Sequence, residues 1–474
     1  MSFGPARLAS ALEAALPQAA TGLAVAVSGG PDSAALLAAL RLLPTRTVRG
    51  LGVRALHVNH GLQSTAAALE AASVALCARF EVPLDILEVH VPLSEGLSVE
   101  AAAREARYRR LSAELGENEC LLTAHHRHDQ AETLLLQLLR GAGPKGLAAM
   151  PVRRRLGAGW HIRPLLDVAR GELTAFGVEQ SLAAIGDPMN SDPRFERAHL
   201  RTTLWPLIEE RWPGAAKALA RSAAHLAEAQ ALIEELGAAI VSRVRDGEAL
   251  CVRGLRSLSE PEQLHALRYW IAAEGARLPS SVRLPSSARL HEALRQMLAA
   301  DADHLPAVAW EGHALRRYRD RLFLTAAHPP RLDERLVWPM GERGTPGEDL
   351  GPAPRGGALQ LALGRALELP PGLGRLRWEP AGGGLDPARL PAFLEVRPRG
   401  GSERLRIARG ARTRSVRELC QAWGILPWMR DALPFVYAGE TLIAVGDLWH
   451  NADLSVAAGA PGVVCRWEDA PRVQ

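Results

Sequence analysis

The 474-residue chain is longer than one hydrophobic core usually supports, so two or three domains are expected. Its make-up, 47% hydrophobic and 23% charged with a formal net charge of +4, is that of a globular protein and points only weakly to an acidic partner such as nucleic acid. Five scattered cysteines (Cys77, Cys120, Cys251, Cys420, Cys465), none in a C-x-x-C, exclude a disulfide framework and a cysteine-bound metal centre and suit the cytoplasm; no apolar run is long enough to span a membrane.

Leu8, Leu12 and Leu16 recur at i, i+4 and i+8, the pattern of an amphipathic first helix rather than of a signal peptide, which Glu13 would interrupt. Strands are then expected at Leu23–Ser28, Ala55–Val58, Leu84–Val89 and Cys120–Ala124. Helices are expected between them, at about Ser33–Leu42, Thr65–Phe80, Ser98–Leu115 and Gln130–Leu139. This alternation predicts an α/β domain over 1–213, built on a doubly wound parallel sheet whose ligands sit beyond the carboxyl ends of the strands. From Gly214 the pattern turns helical, and 214–328 is expected to hold a connecting helix and a mainly helical second domain. Residues 329–384, rich in Pro and Gly with strand-like fragments ("ALQLAL", "GRLRW"), read as a linker. A small α+β domain is expected over 385–474, with strands in "PAFLEVRP" and "ETLIAVGDLW" around a helix near Val416–Trp423.

Ser28-Gly29-Gly30-Pro31-Asp32-Ser33 joins the first strand to the next helix. It is not a Walker A loop, because Lys145 precedes Gly146 and Lys217 precedes Ala218, and G-x-G-x-x-G is absent. Two glycines let backbone N–H groups approach an anion, and a helix N-terminus adds partial positive charge. Pro31 suits the first helical position, while Ser28 and Ser33 bring hydroxyls. Asp32 would repel a phosphate unless Mg²⁺ lay between them, which makes it the candidate metal ligand. A plain capped turn is the competing reading; the strand–turn–helix setting favours a phosphate site.

Other constellations follow in order. "ALHVNHGLQ" closes the second strand with His57 and His60, which suit nucleotide binding and strand capping equally well. "SVEAAAREARYRRL" puts Glu100, Arg104 and Arg107 near one helix face, with Arg104 the candidate for neutralising phosphate charge. "TAHHRHDQAETLLLQLLRGAGPKGLAAM" leaves a strand and opens a helix with Asp129 and Glu132 at i, i+3. "DPMNSDPRFERAHLR" carries Arg197 and Arg201. Nearly all the basic residues are arginines, so clustering is the informative signal. Arg397, Arg399, Arg404, Arg406, Arg409, Arg412, Arg414 and Arg417 face only Glu403 before Glu418, which reads as a nucleic-acid patch.

"SGGPDS" resembles the pyrophosphate (PP) loop of the ATP pyrophosphatases. Together with the other stretches, it resembles the tRNA(Ile)-lysidine synthase family across most of the chain. That family typically shows H-V-D/N-H-G-L-R, E-x-x-A-R-x-x-R-Y, A-H-H-x-D-D-Q-x-E-T and L-x-R-G-S/T-G-x-x-G-L in this order. The chain departs from it at His128, where the family has an acid, and at Ala142, Met189 and Ala198. The resemblance implies an adenine nucleotide alpha-hydrolase-like fold, ATP and Mg²⁺ as cofactors, and free L-lysine and CAU-anticodon isoleucine tRNA as partners. It implies that Ser28–Ser33, His57 and His60 bind ATP, and that Asp32 and Arg104 serve phosphoryl transfer. Asp129 and Glu132 would hold the lysine ammonium, with one of them taking its proton. Arg197, Arg201, Arg397, Arg399, Arg404, Arg406, Arg412 and Arg414 would contact tRNA. A homodimer is compatible with this reading. Another tRNA-modifying ATP pyrophosphatase, and a tRNA-binding protein with a decayed site, are the alternatives.

Overall fold

The structure, a computed structural model, describes residues 2–44, 48, 50–59, 65–89, 99–183, 185, 195–276, 278, 282–301, 304–339 and 366–471. Two compact units divide the chain, Met1–Glu235 and Leu236–Gln474.

The first unit is built on a six-stranded sheet: β1 (Gly22–Ala26), β2 (Gly52–Asn59), β3 (Leu84–Glu88), β4 (Cys120–Leu122), β5 (Arg153–Leu156) and β6 (Gly159–Ile162). Its order is β3-β2-β1-β4-β6-β5, parallel throughout except for the antiparallel edge strand β5. Around it lie α1 (Pro5–Ala15), α2 (Pro31–Arg41), α3 (Ala66–Arg79), α4 (Val99–Glu114), α5 (Arg127–Leu139), α6 (Pro144–Leu147) and α7 (Arg170–Glu179). Strand alternation gives the sheet two buried faces. Leu23, Val25, Cys120 and Leu122 point into a core shared with α1, α2 and α7. Ala24, Leu56 and Leu121 point the other way, onto Leu111 and Leu115 at the end of α4. From Ser33 to Leu40, α2 is buried on all sides, as its unbroken Ala/Leu sequence requires.

The sequence reading has no counterpart to the β5–β6 hairpin. Its strands have four residues each, and Arg153-Arg154-Arg155 carries no apolar alternation. α8 (Glu196–His199), a wide π turn (Leu200–Leu204), α9 (Trp205–Arg211) and the long α10 (Ala215–Val244) follow.

In the second unit, helices Val252–Arg256, Glu260–Gly275 and Ser287–Ala299 pack on a five-stranded antiparallel sheet that runs from Arg245–Asp246 to Ala307–Trp310. The helical expectation for 214–328 thus acquires a small sheet. The segment expected as a linker with strand-like fragments holds strands where it is described: Leu336–Pro339 pairs with Phe393–Arg397, and Arg375–Gly382, which includes most of "GRLRW", pairs along its length with Pro461–Glu468. Trp338 and Trp378, both from that segment, stack at 5.2 Å in the C-terminal core. "ALQLAL" lies outside the described residues.

Candidate active site

Topology decides where the chemistry gathers. β1 lies between β2 and β4, the point at which strand order reverses and open α/β sheets take their ligands. The loops leaving β1 and β4, Ser28–Gly30 and Thr123–His126, therefore meet although nearly a hundred residues separate them.

Gly29 has φ +76°, and a Cβ there would stand 2.4 Å from the backbone oxygen of Leu69, so no other residue fits. Gly30 caps α2, and Pro31 takes its first position, so the first-turn N–H groups have no intrahelical partners. Ser33 Oγ donates to the Gly30 carbonyl at 3.0 Å and accepts from the Ser28 N–H at 3.2 Å. The Ser28 hydroxyl lies 3.2 Å from that of Ser33. Backbone and hydroxyl donors thus gather at the positive end of a buried helix, a cradle suited to an anion.

His57 sits beneath this loop rather than in it. Its side chain is buried, with Nδ1 3.0 Å from both the Val27 carbonyl and Ser73 Oγ, and burial lowers its pKa. It ties β2 to the start of the loop. His60 lies outside the described residues.

Asp32, on the first turn of α2, is partly exposed, with Oδ2 3.7 Å from Nε2 of His126. His126 caps α5: its N–H donates to Asp129 Oδ2 at 2.9 Å. Burial works against charge on this ring, but the carboxylates of Asp32, Asp129 and Glu132 outweigh it and raise its pKa.

Asp129 and Glu132 are buried and face two arginines supplied by the α8–π-turn segment. Arg201 bonds both, to Glu132 Oε1 at 2.7 Å and Asp129 Oδ1 at 2.6 Å. Arg197 Nε donates to Glu132 Oε2 at 2.9 Å. Arg197 and Arg201, expected on tRNA, are thus engaged by the acid pair of their own domain. Burial raises the pKa of Asp129, but the charges of His126, Arg197 and Arg201 prevail and hold it well below the carboxylate range. His128 turns away from the pair, towards Glu209 (3.4 Å) and the ring of Trp205 (5.7 Å). With His128 in this place, Asp129 and Glu132 keep their ion pairs with Arg197 and Arg201.

Arg104 lies over the ring of Tyr108 at 5.1 Å, in a group with Arg107 and Arg154, which stack on the same ring at 5.6 and 5.5 Å. Burial and the neighbouring guanidinium groups lower its pKa, although Tyr108 opposes the shift. Among the described residues no group of three or more His, Cys, Asp or Glu forms a metal centre.

The sequence reading singled out neither His125 nor His126, nor Thr123, His161 and Arg163, which lie close behind. A signal was present in "GWHIRPLL": polar residues alternate where a buried strand should be apolar.

In the second unit the C-terminal arginines divide into two kinds. Arg397 bonds Glu395 (2.7 Å), the Gly439 carbonyl (2.9 Å) and Glu440 (3.2 Å) while lying over Tyr437. Arg399 pairs with Asp431 at 3.6 Å and Arg406 with Asp453 at 2.8 Å. Arg404 and Arg412 are exposed; Arg414 is half-buried on a short strand paired with Arg404–Leu405.

Three family models match the chain: a PP-loop domain over 6–208, a TilS substrate binding domain over 250–323 and a TilS substrate C-terminal domain over 394–467. The chain is 38% identical to the tRNA(Ile)-lysidine synthase of Alkalilimnicola ehrlichii, covering 90% of each chain. It is 40% identical to that of Ralstonia nicotianae, covering 93% of this chain and 94% of the relative. For the Coxiella burnetii enzyme the identity is 35%, over 89% and 87%. Among solved structures, a U34-tRNA thiolase from Methanococcus maripaludis aligns with 47% of this chain and 78% of its own at 16% identity and TM-score 0.38.

Proposed function

Because the chain belongs to the tRNA(Ile)-lysidine synthase family, we propose that it ligates free L-lysine to C2 of the wobble cytidine of CAU-anticodon isoleucine tRNA, using ATP. The product, lysidine, would switch decoding from AUG to AUA. The observation that carries this reading is the convergence of the Ser28–Ser33 cradle, Asp32, His126 and the Asp129–Glu132 pair at the β1/β4 switch point.

The chemistry has two steps. The cytosine O2 attacks the α-phosphorus of ATP, the bond to the β-phosphate breaks, and pyrophosphate leaves. The lysine Nε amine then attacks C2, the C2–O2 bond breaks, and AMP departs with O2. The cradle of first-turn N–H groups and the Ser28 hydroxyl holds the leaving pyrophosphate. Asp32 suits Mg²⁺ carried in by the phosphates, since one or two carboxylates with phosphate oxygens and water satisfy that ion; the cation would neutralise charge on the leaving group. Arg104 faces the transferring phosphoryl group. Asp129 and Glu132 receive the lysine ammonium beside Arg197 and Arg201. Asp129, held ionised by its cationic neighbours, suits charge-holding, and Glu132 takes the proton that the lysine ammonium loses before its amine attacks C2. In the second unit, exposed Arg404 and Arg412 contact RNA, and the target base is unstacked to reach the site.

The test is incubation with ATP, labelled lysine and CAU-anticodon isoleucine tRNA, followed by digestion and a search for lysidine. Absence of lysine incorporation overturns the proposal. Asp32→Ala is expected to abolish AMP release while tRNA binding stays within about threefold; equal loss of both would remove Asp32 from the phosphate site.

A further inference from the structure

Thr123, His125, His161 and Arg163 have no role in the reaction described above, yet their hydrogen bonds run in one direction only. A guanidinium can only donate. Arg163 Nη2 lies 3.1 Å from Nδ1 of His161, and Arg154 Nε approaches the same nitrogen at 3.4 Å, so Nδ1 is the acceptor. The proton of His161 therefore sits on Nε2, 2.8 Å from Thr123 Oγ1, which accepts it. The threonine hydroxyl then turns its own hydrogen to Nδ1 of His125, 2.7 Å away. His125 is left with its proton on Nε2, for which the described residues offer no partner. The opposite direction would put the proton of His161 on Nδ1, against two guanidinium donors, or leave a buried hydroxyl hydrogen unbonded.

The chain of bonds is shielded from water. His161 is 0% exposed, Arg163 3% and Thr123 7%. Arg163 is anchored in turn, with Nη1 donating to the Pro151 carbonyl at 2.7 Å. Burial and nearby cationic groups push His161 down to about 2; burial and the same arginine field push His125 down to about 3, against the pull of Asp129. Neither ring gains charge at a working pH. His125 belongs to the loop that leaves β4 into the candidate site, and the charges of Asp129 and Arg104 both act on it.

We propose that this relay makes His125 a fixed, neutral Nε2–H donor to a phosphate oxygen of the reacting nucleotide, with Arg163 the positioning residue that sets its tautomer. An Nε2–H has no lone pair, so it cannot take the proton of lysine. A neutral ring in this state is also no general acid. Donation is what remains, and phosphate oxygens are the acceptors that the proposed reaction brings beside Arg104. The inference rests on that reading of the site.

The tautomer is read first, in the protein alone, by NMR of ¹⁵N-histidine-labelled enzyme. His125 is expected in the Nε2–H form, unchanged between about pH 5.5 and about pH 8.5. An Nδ1–H form, or titration in that range, overturns the relay. Arg163→Met is expected to mix the two forms, and Arg163→Lys, which keeps a donor, to restore Nε2–H. If Arg163→Met does not fold, Thr123→Val breaks the relay at another link and is read in the same way.

Activity is read second, as AMP release. His125→Gln, whose amide N–H stands where Nε2–H stood, is expected to keep kcat within about tenfold, and His125→Ala to lose about 10²–10³ with KM for ATP little changed. Equal loss in folded Gln and Ala variants assigns His125 a proton-transfer role and sinks the proposal. Because the tautomer needs no ATP, lysine or RNA, its failure is distinct from failure of lysidine formation.

Discussion

Two adjacent glycines look alike in a sequence, but their places in the loop are not alike. Gly29 combines φ +76° with a would-be Cβ 2.4 Å from a backbone oxygen, which cannot yield as a flexible side chain can. Gly30 has φ −87°, and its nearest neighbour to a Cβ is Ser28 Oγ at 3.4 Å. Gly29→Ala is therefore expected to destabilise the first unit by about 2–4 kcal/mol, from backbone strain plus overpacking, and Gly30→Ala by less than about 1 kcal/mol. Urea unfolding followed by tryptophan fluorescence checks both; equal losses would mean that the loop does not depend on the Leu69 contact. The pair itself was legible as a phosphate loop because its meaning is local: strand, glycines, helix start. Which glycine is obligatory was not, because that depends on α3, forty residues downstream. His57 shows the same limit. Its spacing after a strand suits a ligand contact and a strut equally, and the Val27 carbonyl and Ser73 hydroxyl on its Nδ1 supply the strut.

Elements were legible where periodicity carried them. The four parallel strands and the helices between them lie where alternation placed them, with ends shifted by a few residues. α5 starts at Arg127 rather than Gln130, since its first turn is polar and is fixed by the reciprocal cap of His126 and Asp129. The sheet also has a tie that no pattern reveals. Arg54 on β2 clamps Glu119 bidentately through Nε and Nη2, both at 2.8 Å, while Nη1 reaches Asp85 at 2.8 Å and Nη2 the Glu114 carbonyl at 2.9 Å. One guanidinium thus joins β2, β3, the end of α4 and the turn before β4. Hydrogen bonding to Arg54 is the largest influence on Glu119 and lowers its pKa from 4.5. The sign follows: a depressed carboxyl stabilises the fold above its unfolded value and loses that contribution as pH falls through its folded value. Arg54→Met is expected to lower stability at pH 7 and to flatten its decline below about pH 4.5. Arg54→Lys should recover only part, lacking the fork. Unfolding curves at a series of pH values test this, and a mutant with the parent's acid slope would deny the pair its role.

At the scale of the whole molecule, the basic C-terminal run was legible as a cluster but not as a surface. Within the run only Glu403 opposes the arginines, so the sequence reads as one patch. Folding brings Glu395, Asp431, Glu440 and Asp453 from outside it, and these acids claim Arg397, Arg399 and Arg406. Charge counted along a chain overstates charge presented to solvent, because ion-pair partners need not be sequence neighbours. The distinction separates two kinds of variant. An exposed arginine that meets a phosphate releases counterions, so removing it weakens RNA binding and shallows its salt dependence; an arginine engaged by acids stabilises its own domain. Arg404→Ala and Arg412→Ala are each expected to weaken tRNA binding and to reduce the slope of log K against log salt by about 0.7–1, with melting temperature unchanged. Arg397→Ala, whose side chain is 14% exposed between Glu395, Glu440 and the ring of Tyr437, is expected to lower the melting temperature by a few degrees. Its salt slope should stay that of the parent. Binding titrations at several salt concentrations, alongside thermal melts, separate the two classes. A salt slope lost on removing Arg397 and kept on removing Arg412 would reverse the assignment, placing the RNA on the acid-lined side of this domain.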